Sequence, residues 1–245
     1  MYIVSWGRKE AGLAALSSLP LLGGVLYLSV EHSAWWALAL PPLLAFFGLL
    51  ILFFRNPSRR VASDSGLLVS PADGTVWDIA RVDEGEFIQA PCIRVGIFLS
   101  LFDVHVNRAP AGGRIEWVCH REGTFHDARS EAARRENESN SIGMVRDDTG
   151  GPEGVRLLVK QIAGAIARRI ICPLGPGAVV ARGGLLGMIK YGSRTELYIP
   201  EASGVEIRVK VGDKVRGGST VVAAWPPRAE DHASEDRPPG DCIRA

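Results

Sequence analysis

Two long apolar runs open the chain. Residues 11–30 and 34–54 contain no charged side chain, and each is about 20 residues long, enough for a helix to cross a hydrocarbon layer of roughly 30 Å. Glu31-His32-Ser33 is the only polar break between them. Arg8 and Lys9 precede the first run, and Arg55, Arg59 and Arg60 follow the second, so the pattern predicts a helical hairpin with both ends on one positively charged side. Pro20, Pro41, Pro42 and several glycines weaken these helices. Two arrangements therefore fit, a hairpin that spans the bilayer and a shallow one held in a single leaflet. Trp35 and Trp36 suit an interfacial position in either.

Beyond Asn56-Pro57-Ser58 the hydrophobic period falls to two. Gly66 to Trp77 reads as strand, turn, strand, with Asp73-Gly74 at the corner, and Ile93 to Leu99 reads as a buried strand. Val155 to Ile162 and Thr195 to Ile199 are further strands. Gly204 to Ala223 alternates and turns at Gly212-Asp213 and Gly217-Gly218. Residues 120–140 are charged and predict a surface helix or loop; residues 163–172 fit either helix or strand, and 173–177 form a turn. From Pro226 onward the Pro, Asp, Glu and Arg content predicts a flexible tail, 226–245. The chain thus divides into an anchor over 1–55, a strand-rich domain over 56–225, and that tail.

Composition narrows the function. The 47% hydrophobic content is concentrated in the two opening runs, and the net charge is only +1. No dense basic block lies outside the membrane flanks, so nothing indicates a nucleic-acid partner. Cys92, Cys119, Cys172 and Cys242 are too far apart for a CxxC pair or a zinc knuckle and read as buried thiols in a reducing compartment. His120 and His126 have no companion at metal-ligand spacing, and no metal is expected.

The candidate chemistry lies at Gly192-Ser193, between Lys190-Tyr191 and Arg194. Alone, a Gly-Ser pair beside a strand is an ordinary turn. Glycine can, however, hold its carbonyl in a strained geometry open to the next hydroxyl, as an N→O acyl shift requires.

The longer string Gly187-Met-Ile-Lys-Tyr-Gly-Ser-Arg-Thr-Glu-Leu-Tyr-Ile-Pro200 resembles the self-cleavage segment of the short, membrane-associated bacterial phosphatidylserine decarboxylases. Pro71-Ala-Asp-Gly-Thr-Val76, Asp103-Val-His-Val-Asn-Arg108 and Glu136-Asn-Glu138 are similar to other stretches of that family. The resemblance implies a proenzyme cut between Gly192 and Ser193 into fragments 1–192 and 193–245, which stay together as a heterodimer and could assemble further. Ser193 would become a pyruvoyl group whose carbonyl condenses with the headgroup amine and takes up the electrons released with CO₂, so that no pyridoxal phosphate is needed. His105 would be the general base or acid and Asp73 would orient it. Other branches of the family carry a second histidine where this chain has Arg108, which leaves His105 to serve both self-cleavage and turnover. Arg108, Lys190 and Arg194 are phosphate-binding candidates by proximity to Ser193.

The implied fold is mainly β (α+β) with β-hammerhead, lipoyl-like sheets behind the hydrophobic hairpin. The implied partner is phosphatidylserine in the inner membrane, with the catalytic domain on the cytoplasmic side. The competing reading is a membrane-tethered biotinyl or lipoyl carrier, because residues 204–223 also resemble half of such a domain. Met188-Ile-Lys190 comes near its attachment signature, but the lysine is not bracketed.

Overall fold

The structure, a computed structural model, describes residues 2–64, 66–147, 152–165, 169–190 and 193–226. The apolar runs form α1 (Arg8–Glu31) and α2 (Leu40–Phe53), the latter entered through a 3₁₀ turn over Ala34–Ala39. Ser33 caps that turn, and Pro41 falls in the first turn of α2, where its missing N–H removes no helical bond. The two helices pack on each other, yet only 6% and 11% of their most apolar windows are buried. Apolar side chains left this bare in water would be strongly unfavourable, so the pair is compatible with membrane association.

The root of this hairpin is tied firmly to the rest of the chain. β1 (Tyr2–Ile3) pairs antiparallel with β2 (Arg55–Asn56), bringing the entrance of α1 beside the exit of α2. Val4, Phe53 and Phe54 then bury against Val104, Val106 and Met188. Gly7 makes the approach possible, because a Cβ there would lie 2.2 Å from the Phe54 ring.

The strand-rich part begins with β3 (Leu67–Val69), β4 (Gly74–Glu84), β5 (Ala90–Leu99), β6 (Val106–Arg108) and β7 (Gly113–Arg121). A short helix, α3 (Glu131–Glu136), leads into β8 (Ser139–Arg146) and β9 (Arg156–Ala163). β10 (Arg169–Ile171), β11 (Val179–Val180) and β12 (Leu185–Lys190) precede β13 (Ser193–Pro200), and β14 (Glu206–Ile207), β15 (Lys214–Val215) and β16 (Val221–Ala224) close the chain. One antiparallel sheet runs β11-β7-β8-β9-β13-β5-β4-β15, and two three-stranded sheets, β10-β12-β6 and β14-β16-β3, complete the fold. The mainly β architecture behind an apolar helical pair is as the sequence predicts.

Period-two alternation sorts β13 into two faces. Leu197 and Ile199 join Val95, Ile97, Leu99, Leu157 and Val159 in the main core, all fully buried. Arg194, Glu196 and Tyr198 face the other way.

One expectation changes, and two stretches gain detail. Residues 120–140 are not all surface, since Asn137, Ser139 and Asn140 are buried where β8 pairs with β7 and β9. Residues 169–171 of the ambiguous stretch are strand, and 166–168 lie outside the described residues. Within Gly204 to Ala223, β15 joins β4 while β16 pairs with β14 and β3, so this stretch is woven into the strands around Asp73. Residues 227–245 of the expected tail lie outside the described residues.

Leu197→Ala should lower stability by about 2–5 kcal/mol, as expected for a core leucine with no room to collapse. The readout is the thermal midpoint in detergent, and an unchanged midpoint would remove Leu197 from the core.

Candidate active site

Ser193 is the first residue of β13 and is paired on both sides, with Leu99 of β5 and with Ala163 of β9. It is fully buried, and its Oγ has no hydrogen-bond partner among the described residues. A buried hydroxyl without a partner costs on the order of 1–3 kcal/mol, so its retention points to chemistry rather than stability. The preceding strand, β12, belongs to a different sheet and ends at Lys190. Tyr191 and Gly192, the latter the expected cleavage residue, lie outside the described residues.

His105 is placed beside the end of β12 by β6, which pairs with that strand, and its carbonyl accepts the Ile189 N–H at 3.2 Å. The imidazole is fully buried, with its ring centroid 4.3 Å from that of Phe53 at the end of α2. Its Nδ1 lies 3.0 Å from the Asp103 carbonyl oxygen. A carbonyl can only accept, so Nδ1 carries the proton of the neutral ring and Nε2 keeps the lone pair. Burial pushes the imidazole down to about 4 from its ordinary 6.5; the Asp103 carbonyl opposes that and nearby Arg55 adds to it. At neutral pH the ring is an uncharged proton acceptor.

The Asp73 carboxylate is ion-paired with Arg59 and accepts the Gly217 N–H at 2.7 Å, while the Asp103 main chain holds the His105 Nδ1. Burial raises the Asp73 carboxyl above its usual range, with the Arg59 charge and the Gly217 N–H pulling the other way. Asp73 and Asp103 line one polar cavity of about 560 Å³.

The three cationic candidates are already engaged. Arg194 lies on the opposite face of β13 from Ser193, bonded through Nε to Glu196 at 2.8 Å and ion-paired with Asp78. Arg94 and Tyr198 complete that buried network, and Gly96 makes room for it, since a Cβ there would lie 2.8 Å from the Asp78 carboxylate. Arg108 donates to Gly183 O at 2.8 Å and to Asn56. Lys190 is ion-paired with Glu10 of α1.

A buried polar relay beside Ser193 was not foreseen. Asn140 Nδ2 donates to Gln161 Oε1 at 3.0 Å, Gln161 Nε2 to Asn107 Oδ1 at 2.7 Å, and Asn107 Nδ2 to Thr195 Oγ1 at 2.9 Å. Thr195 shares the face of β13 that carries Ser193, and Asn107 lies two residues after His105. Asn137 adds a brace, donating at 2.7 Å to the carbonyl of Ala163, the residue paired with Ser193. An apolar-walled cavity of about 210 Å³, lined by Phe98 to Leu101, Asp127 to Arg129, Gly164 and Ala165, opens at this end of the sheet.

Comparison with known proteins follows the same residues. The family model for phosphatidylserine decarboxylase matches residues 46–223. A phosphatidylserine decarboxylase proenzyme of Carboxydothermus hydrogenoformans is 43% identical over 210 residues, covering 86% of this chain and 91% of the relative. The proenzyme of Rhodopirellula baltica is 42% identical, covering 88% and 87%, and that of Geobacter sulfurreducens is 36% identical, covering 89% and 100%.

A histidine held neutral by burial contributes stability that is present above its unfolded value and is lost as pH falls through its folded one. The thermal midpoint of the wild type should therefore drop between pH 6.5 and about 4 more steeply than that of His105→Gln. Parallel profiles would show that the imidazole is not held neutral.

Proposed function

The chain belongs to the phosphatidylserine decarboxylase family, and from that premise we propose that its decarboxylase activity rests on a pyruvoyl group made from Ser193. The observation that carries this reading is the buried Ser193 hydroxyl, without a hydrogen-bond partner among the described residues, at the start of β13. Its reaction is the decarboxylation of phosphatidylserine to phosphatidylethanolamine and CO₂.

In the self-cleavage we propose, His105 Nε2 takes the Ser193 hydroxyl proton as the oxygen adds to the Gly192 carbonyl carbon. The Gly192–Ser193 C–N bond breaks and the nitrogen is protonated, leaving an ester. Loss of the Ser193 Cα proton expels the Gly192 carboxylate and leaves a dehydroalanine, which takes a proton at Cβ and loses one from nitrogen to become an imine, and addition of water to that imine releases ammonia. The product is a pyruvoyl-capped strand β13. Its surroundings fit, because the cross-strand neighbours are the uncharged Leu99 and Ala163 and the adjacent cavity is largely apolar. The pyruvoyl carbonyl supplies an electron sink for the bond that releases CO₂.

The chain's own residues do the rest. His105, neutral and shielded from water, is suited to move a proton at the reacting centre. The Asn140–Gln161–Asn107–Thr195 relay fixes the strand that carries Ser193 against the strand that carries His105. Asp73, tied to Arg59 and to Gly217 from beyond the cut, acts from the neighbouring polar cavity to shape the loop before His105. Arg108 and Lys190 position the segments around the site, and any phosphate contact they make requires exchange of their present partners.

Both fragments should remain associated after cutting. β13 is flanked by β5 and β9, β15 pairs with β4, and β16 pairs with β3, so the small fragment contributes strands to two sheets of the large one. We infer that the catalytic domain faces the cytoplasm at the inner membrane, a reading supported by the basic flanks of the apolar helices. The carrier alternative is disfavoured by Lys190, which is buried, ion-paired and at a strand end rather than in an exposed turn.

Ser193→Ala should run as one uncut chain on a denaturing gel, and two fragments from it would overturn the assignment. His105→Ala should slow cutting by about 10²–10⁴-fold, the usual contribution of a positioned general base; wild-type rates in a pulse-chase would remove His105 from the step. Wild-type fragments should elute together in mild detergent and part only in denaturant.

A further inference from the structure

Between β5 and His105 lies a short loop, Ser100 to Asp103, whose tip is apolar and uncovered. Phe102 is 70% exposed and Leu101 38%. The loop is held in shape: the Asp103 carboxylate accepts both the Ser100 N–H, at 2.8 Å, and the Ser100 hydroxyl, at 2.6 Å. A large aromatic side chain presented on a braced loop stabilises nothing within the fold, so its partner lies outside it.

What that partner is follows from where the loop sits. The Arg55 guanidinium donates through Nη1 to Leu52 O, in the last turn of α2, at 3.1 Å, and through Nη2 to Phe102 O. One planar group therefore spans the end of the apolar helix and the loop tip. Leu52 is itself 46% exposed, and Phe53 lies against the His105 ring. Loop tip, helix end and site imidazole thus share one level of the molecule, the level at which an apolar helix followed by Arg55 must leave the hydrocarbon. Leu101 also lines the cavity at the Ser193 end of the sheet.

We propose that Leu101 and Phe102 form a second membrane contact, inserting at the boundary between headgroups and acyl chains and turning the end of the sheet where β13 begins onto the bilayer. The occupant of this surface is the lipid bilayer itself. Fixed there, the site meets a headgroup without the lipid having to leave the membrane, and the loop, rather than the helices, sets the approach angle. The kinetic consequence rests on the lipid-decarboxylase reading; the insertion itself does not.

The test uses full-length protein reconstituted into phosphatidylcholine vesicles. A single environment-sensitive fluorophore on Phe102→Cys, corrected for label on the wild-type cysteines, should emit as in an apolar medium and be quenched by lipids spin-labelled near the headgroup. Emission typical of water would overturn the proposal, and so would apolar emission without quenching, which would mean a protein cover instead. In the kinetic arm, Phe102→Asp should raise the half-saturating mole fraction of phosphatidylserine about tenfold, the size expected for losing one buried aromatic side chain. Its turnover of a short-chain, water-soluble phosphatidylserine should stay at the wild-type level, and Phe102→Leu should recover most of the loss. Equal losses on both substrates, or none on vesicles, would contradict the proposal. A wild-type protein that released no CO₂ would refute the decarboxylase reading, while the quenching would still decide the loop.

Discussion

Ser193 is the first residue of a strand held on both sides, by Leu99 and by Ala163, and most of the molecule can be understood as keeping it there. Two ladders of backbone hydrogen bonds fix the peptide that follows the candidate scissile bond, and β12, in a separate sheet, fixes the chain before it. β12 and β13 thus lie in different sheets, so the described segments on either side of the expected cleavage position are held independently.

Burial decides how the side chains around Ser193 behave. It keeps the His105 imidazole uncharged, and the Asp103 carbonyl at Nδ1 directs the basic nitrogen to the other edge of the ring. It also makes unsatisfied polar groups expensive, so the relay from Asn140 through Gln161 and Asn107 to Thr195 has one arrangement that satisfies its members. Charge is kept to the opposite face of β13, where Arg194 and Arg94 share Asp78 and Glu196. The separation leaves Ser193 in a neutral setting, suited to a carbonyl whose reaction depends on modest proton transfers.

Much of this was legible in the sequence. Apolar runs without charge can only be helices or core, and short apolar stretches bounded by turn residues marked β5, β9 and β13 as strands. Ser193 and His105 stood out through the strings around them. What could not be read is which strands meet: the weave of β15 and β16 brings Gly217 to Asp73, which also pairs with Arg59. Arg194 looked like a phosphate ligand because it adjoins Ser193, yet neighbours on a strand point to opposite faces. Asn107, Gln161 and Asn140 were hidden by their polarity, since a polar residue in a strand ordinarily marks the solvent face, and only the fold shows these three bonded to one another in the interior.

The most direct test of the account is the intact mass of freshly purified, active protein. It should show two chains, 1–192 and 193–245, the smaller lighter by one ammonia than the same peptide with a free amino-terminal serine and resistant to stepwise amino-terminal degradation until its carbonyl is reductively aminated. A single unbroken chain that still released CO₂ from phosphatidylserine would contradict it.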